Sequence, residues 1–517
     1  MKKIIKILLF ISSITFAQID AGSWNYDENK VPTTYPKEFQ FMAFFISQGV
    51  SNNVFATNDL LKGQTVGRLF GGNTTTTGQN SNYFEQRIIP FLIYQPKLLN
   101  GKALLRMSFE IDWTWGDASY GAGGNFGSAI SADQVNLQTQ NVELELIPFK
   151  NFYINLGLQR LYDTPYNPYR TLAGTMFKTG YRLMYWGTDG VGISAIYEMD
   201  YQRIKAGYYQ LYENNINQND DVALWELNYE MDVTKEWRQG LTAYYIYDRG
   251  NGEGGVSVLG QGLNSNLAAY NGVYRFPLGA NSYKADVIWL GTHGNYNPEF
   301  NMGRWTLNGF FMANLGEVQT EQGGTYKKAA DIFGYSANIR TGYKYGQTAD
   351  DNIMLDVFYA SGDDNDLDDK EYSGVLTGNN WGSPGAIMIS SGAYLLYPHG
   401  NVVNRYVAAV SDLSNMGLGQ IGGTLNFSKS FIPNKMTGKV GVAAAQSLVE
   451  PTGGGKMIGS EVNAMIGYKP AVYMDVELHA AYLWLGDFYD SKQTNGGVDV
   501  KPDNPFTVFV VFKWLMF

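Results

Sequence analysis

The closing stretch Phe506-Thr-Val-Phe-Val-Val-Phe-Lys-Trp-Leu-Met-Phe517 decides the fold class. It is aromatic and β-branched, carries one charge (Lys513) and contains neither Pro nor Gly, so it reads as a strand. A segment this apolar is out of place in water. Two environments suit it: the inside of a soluble sandwich, or the wall of a transmembrane β-barrel, where a lipid band and aromatic girdles call for such residues.

The other end of the chain favours the barrel. Met1 to Phe16 has a basic head (Lys2, Lys3, Lys6), an apolar stretch from Ile7, and the small-x-small site Thr15-Phe16-Ala17 before Gln18. This is the pattern of an export signal, and it is too short to span a bilayer as a helix. The expected division is a signal peptide over 1–17, a polar periplasmic lead-in over 18–37 and one barrel domain over 38–517. No later run of 18 apolar residues exists, so closed β structure is the remaining way across a membrane.

Composition narrows the chemistry. Sixty Gly disfavour long helices, while 37 Tyr, 28 Phe and 11 Trp favour strands and interfacial belts. A mean hydropathy of -0.23 fits a barrel, in which only alternate residues meet lipid. The absence of Cys excludes disulfides, thiolate metal sites and covalently attached haem, and three His leave little for metal chemistry; no cofactor is expected. A net charge of -10 makes nucleic acid a poor partner.

Alternation supplies the strands. In Ala103 to Trp115, Leu105, Met107, Phe109, Ile111, Trp113 and Trp115 share one face, and Arg106, Ser108, Glu110, Asp112 and Thr114 the other. The same test gives strands at 38–48, 83–95, 102–115, 136–147, 151–161, 191–199, 203–213, 221–233, 238–249, 283–292, 303–316, 331–345, 352–361, 418–430, 436–447, 459–470, 472–486 and 505–517. Eighteen is even, which places both termini on the periplasmic side. Short turns such as 148–150, 200–202 and 431–435 then lie at that end and the long Gly/Asn/Asp-rich loops at the other. The expected fold is therefore an all-β, antiparallel up-and-down transmembrane barrel, wide enough to enclose an aqueous channel.

By the same parity the channel is lined by Arg106, Glu110, Asp112, Glu143, Glu145, Glu226, Glu230, Asp232, Arg340, Asp356, Asp475 and Glu477. Lys284 and Asp286 are assigned to the lumen as well, and acids outnumber bases, which implies a mild cation preference. The terminal strand ending in Phe resembles the assembly signal of bacterial outer-membrane barrels. That resemblance implies the barrel-assembly machinery as a partner, with outer-membrane lipids and lipopolysaccharide around the finished barrel.

Three pieces resemble the alginate-export family of outer-membrane porins: Phe109 to Asp117, Asn155 to Arg160, and Tyr359-Ala360-Ser361-Gly362-Asp363. The resemblance implies an eighteen-stranded barrel that passes acidic polysaccharide or other polar solutes. The acidic lumen departs from what a polyuronate requires, so alginate itself is not carried over.

Remaining motifs have plain readings beside sharper ones. Asp364, Asp366 and Asp368 alternate like the first ligands of a Ca²⁺ loop, but Asp369 and Val375 stand where an EF-hand needs Gly and Glu. A solvated acidic loop, with at most weak Ca²⁺ binding, is the expectation. Tyr162 to Arg170 is a rigid aromatic loop, and Tyr166, Tyr169 and Arg170 are candidates for an inward constriction. His479 has no positioned nucleophile, so a non-enzyme is expected, with His479 a polar channel residue. Together these features predict a porin for small polar solutes or saccharides. The alternatives are a sheath around a separate electron-transfer cytochrome, and a non-transporting scaffold or adhesin plugged by loops such as 49–82, 250–282 and 362–417.

Overall fold

The computed structural model describes residues 38–56, 67–68, 74–115, 136–161, 189–251, 278, 281–298, 300–364, 367, 369–376, 392–397, 407–408, 415, 417–495 and 499–516. Among them run β1 (Phe39–Ala56), β2 (Thr74–Tyr94), β3 (Ala103–Trp115), β4 (Asn136–Phe149), β5 (Phe152–Arg160) and β6 (Asp189–Met199). Next come β7 (Gln202–Tyr212), β8 (Val222–Asp232), β9 (Trp237–Asp248), β10 (Tyr283–Tyr296), β11 (Trp305–Gln322) and β12 (Thr325–Lys344). The circuit ends with β13 (Asn352–Ala360), β14 (Gln420–Ile432), β15 (Met436–Ser447), β16 (Met457–Ala471), β17 (Met474–Leu485) and β18 (Phe506–Met516). Each pairs antiparallel with its chain neighbours, and β18 returns to β1 from Thr507 opposite Asn52 to Met516 opposite Ala43. The barrel is closed, antiparallel and eighteen-stranded, as alternation predicts, so no strand edge faces lipid.

Two expectations about the loop end need correction. The sequence reads 49–82 as a loop, yet β1 and β2 stay paired out to Ala56 opposite Thr74. Side chains hold this extension: Asn52 donates to the Tyr83 hydroxyl at 3.2 Å, and Asn53 to the Asn504 carbonyl at 3.1 Å. The connection between β11 and β12, expected to be long, is a hairpin turned by Gly323 and Gly324. Their φ values of 61° and 80° are what a two-residue hairpin turn demands and other residues resist. At the turn end, Asn100, Asn151 and Asn434 take positive φ in the tight connections.

One turn at this end is held by a carboxylate. Asp351 accepts the backbone N–H of Gln347 and Thr348 at 3.0 and 3.1 Å and, from β14, that of Ser430 at 3.0 Å. These bonds, that of Ser430 foremost, hold its carboxyl well below the usual range.

The outer face is apolar. Leu227, Leu241, Ile288, Leu290, Phe311, Ile339, Leu425, Val440, Val442 and Val510 are among many large side chains left about half exposed. In water each would forgo roughly half of the 1.5–3 kcal/mol that full burial is worth, and summed over the face this means that the belt requires lipid. Aromatic clusters rim it on both sides. Tyr208, Trp225 and Tyr245 pack at the loop end, and Trp237 with Tyr296, Trp305 with Tyr343, and Tyr345 with Phe427 at the turn end. From Tyr335 to Tyr343 along β12, eight residues rise about 27 Å. Tilted about 40°, they cover about 21 Å of a hydrocarbon band of about 25 Å.

The interior is not the plain tube expected for this strand number. Polar side chains fill it at mid-height, and two apolar clusters occupy its loop-end half. One packs Val375 and Leu376 against Trp289 and Met312, and the other packs Tyr394 to Tyr397 against Val50, Phe509 and Val511. This explains why β18 is apolar on both faces: Val508 and Val510 meet lipid, while Phe509 and Val511 support chain folded into the barrel.

Candidate functional site

The inner wall from β3 to β9 is a ladder of compensated charges, set by cross-strand register. Arg106 stands opposite Glu143; its guanidinium lies 2.9 Å from that carboxylate and 2.9 Å from Glu145, with all three side chains at most 4% exposed. Lys205 lies 2.9 Å from Glu226, which also accepts the hydroxyls of Tyr209 at 2.7 Å and Tyr244 at 3.3 Å. Arg238 pairs with Glu230 at 3.5 Å and Asp232 at 3.7 Å, and Glu230 meets His293 at 3.0 Å. Further round, Asp356 takes Arg340 and Asn338, and Glu477 takes Lys513 at 2.8 Å and His479 at 2.9 Å. Buried charges paired this closely rigidify the wall.

Against the far wall lies the inward chain segment. Residues 392–397 read Gly-Ala-Tyr-Leu-Leu-Tyr, and all of them are buried. Glu461 of β16 makes most of the hydrogen bonds that secure them. Its carboxylate accepts the backbone N–H groups of Tyr394 at 2.8 Å, Leu395 at 2.9 Å and Leu396 at 2.7 Å. Asn463 donates to the Gly392 carbonyl at 2.7 Å and to Glu461 at 2.9 Å. Beneath Tyr397, Gly422 supplies the needed gap, because a Cβ there would fall 1.9 Å from the phenol oxygen. A second stretch of the same connection docks on the β10–β11 wall, where Trp289 donates to the Leu376 carbonyl at 3.1 Å and Leu376 N–H donates to Asn314 at 3.0 Å.

The residues expected to line the channel divide by height. Arg106, Glu143, Glu145, Glu226, Glu230 and Asp356 point inward and are buried at mid-barrel. Arg340, paired with Asp356 in register, is 24% exposed, and Asp232, Glu477 and Asp475 sit nearer the turn end with side chains 14%, 18% and 35% exposed, so the interior opens towards that mouth. Glu110 and Asp112 fall on the inward register, opposite Gln138 and Asn136, but their side chains lie outside the described residues. So do Tyr166, Tyr169 and Arg170 of the expected constriction loop, Asp366 and Asp368 of the acidic loop, and the export signal over 1–17. Asp364 is exposed, and among the described residues no group of three metal-capable side chains forms.

Parity misplaced two residues: Lys284 and Asp286 share the outward face of β10, since Ala285, Val287 and Trp289 are the buried set. Asp286 instead pairs outside with Arg249 at 2.7 Å and Tyr245 at 2.6 Å. Three inward bases escaped the sequence reading, Arg203, Arg238 and Lys513, because they lie at strand ends where boundaries are uncertain. The sequence reading named 362–417 among loops that could plug the pore but did not single out 392–397; the signal available was an unbroken apolar run inside a Gly-rich connection.

No family model matches the sequence, and no curated protein matches it. Solved structures are similar in fold. A BenF-like porin from Pseudomonas fluorescens Pf-5 is 10% identical with a TM-score of 0.49, over 92% of this chain and 98% of that one. OccK2 (OpdF) of Pseudomonas aeruginosa is 10% identical with a TM-score of 0.48 over the same shares. OpdQ of the same organism is 8% identical with a TM-score of 0.46, over 92% of this chain and 97% of that one. Strand pairing and side-chain exposure themselves give a closed eighteen-stranded barrel with a polar inside and an apolar outside.

Proposed function

We propose that the protein is an outer-membrane porin, passing small polar solutes passively along the charged inner wall past a constriction made by residues 392–397. The observation that carries this reading is the inversion of polarity: Glu226, Asn228 and Glu230 of β8 are at most 3% exposed, while Trp225 and Leu227 stand 41% and 47% exposed outside. A buried polar wall inside an apolar cylinder serves no soluble purpose and suits a water-filled path through lipid. Ring order puts β7, with Arg203 and Lys205, opposite β16 and its docked segment, so a solute passing that segment would run along the paired charges.

The pieces resembling the alginate-export family fall on β3, β5 and the end of β13. A polyuronate would need inward guanidinium and ammonium groups to spend on its carboxylates, but Arg106, Lys205, Arg238 and Arg340 are already engaged. A small neutral or zwitterionic solute fits better.

Single-channel recording in planar bilayers under a KCl gradient tests the proposal. The expected result is a small, steady conductance with a reversal potential displaced modestly to the cation side. Strong anion selectivity would contradict the charge balance. The few-per-cent exposure of the mid-barrel polar groups favours one rival, a closed scaffold, whose signature is no conductance at all.

A further inference from the structure

On β14 to β17, near the turn end of the lipid belt, the outer side chains thin out. Gly438, Ala464 and Ala480 form the floor of a cleft of about 440 Å³ flanked by Phe427, Phe431 and Leu478. Register makes the floor continuous, since Val440 stands opposite Ala464 and Ala464 opposite Ala480. The Phe431 ring leans over Gly438, where a Cβ would come within 2.6 Å of it. Lys429 stands beside Gly438 at the mouth, its side chain 46% exposed, 3.3 Å from Asp351 and 5.5 Å from the centre of the Tyr345 ring. Lys435, exposed in the turn that follows, adds a second positive charge.

We propose that this cleft binds one acyl chain of a phospholipid in the adjoining leaflet, with the lipid phosphate held by Lys429 and Lys435. Position limits the occupant to hydrocarbon or protein, because the cleft lies in the belt that faces lipid. Its size falls within the roughly 300–1,000 Å³ of small-molecule sites. Its lining is apolar apart from Lys429 at one end and Lys439, whose ammonium turns inward to lie 5.2 Å from the centre of the Tyr394 ring. That layout matches a chain with an anionic head. A second barrel docked here would bury the Lys429–Asp351 pair at a desolvation cost, whereas a phosphate adds acceptors for an ammonium that has three donors. The site is independent of what passes through the lumen.

Native mass spectrometry of the purified barrel with dioleoylphosphatidylglycerol or dioleoylglycerol tests it. The wild-type protein should retain one phosphatidylglycerol. Ala464→Leu with Ala480→Leu fills the floor, keeps the belt apolar and should weaken that binding about tenfold or more. Ala464→Leu alone serves if the double variant does not fold, which heat-modifiable gel mobility reports. Lys429→Gln with Lys435→Gln should erase the preference for phosphatidylglycerol over dioleoylglycerol and leave dioleoylglycerol binding unchanged, and Lys429→Gln alone should reduce it. Filled variants that hold lipid as the wild type does would overturn the site. So would filled variants that turn a wild-type oligomer into monomers, since the cleft would then be a self-interface.

Discussion

Replacing Glu461 by Ala should raise the mean single-channel current and make it noisy, because the constriction loses its anchor. Three backbone N–H groups converge on this carboxylate at 2.7–2.9 Å. Hydrogen bonds to a charged acceptor are worth about 1.5–3 kcal/mol each, so losing all three removes more than about 4 kcal/mol from docking. Apolar packing of Leu395 and Leu396 remains, yet the ratio of docked to undocked segment should fall about a thousandfold. Glu461→Gln keeps one acceptor oxygen and should lie between the two. A current indistinguishable from wild type in the Ala variant would show that 392–397 does not set the passage.

The second large effect concerns stability. Arg106→Met should lower the unfolding free energy in detergent by about 3–5 kcal/mol, because Glu143 and Glu145 lose their buried guanidinium. Both carboxylates are at most 3% exposed, so water cannot replace it. Adding Glu143→Gln and Glu145→Gln to the same chain should recover most of the loss, since neutral amides carry no ionic desolvation cost. A single variant within about 1 kcal/mol of wild type would mean that the wall is wetter than its burial indicates.

Much of this was legible in the sequence, and the reason is physical. A strand with lipid on one side and a polar interior on the other must alternate, so β3, β8 and β16 announce themselves and their inward residues can be named from parity. Alternation carries no information where both faces are apolar or where backbone leaves the sheet. On β18, Phe509 and Val511 look no different from Val508 and Val510, although one pair meets the docked segment and the other meets lipid. Glu461 could be placed in the lumen from its register with Asn463, but its partners are backbone amides about 65 residues away, which no local pattern records. Thr74 to Thr77 misled in the opposite direction: their polarity reads as loop, whereas their β-branching let them extend β2 beyond the membrane band.

The orientation of side chains across the wall can be measured directly, because the chain has no Cys and single cysteines label without background. Nitroxides placed one at a time along β14, from Ile421 to Phe427, would report collisions with oxygen, which concentrates in lipid. The account predicts maxima at Ile421, Leu425 and Phe427, and minima at Thr424 and Asn426. Maxima at Thr424 and Asn426, or no two-residue period at all, would contradict it.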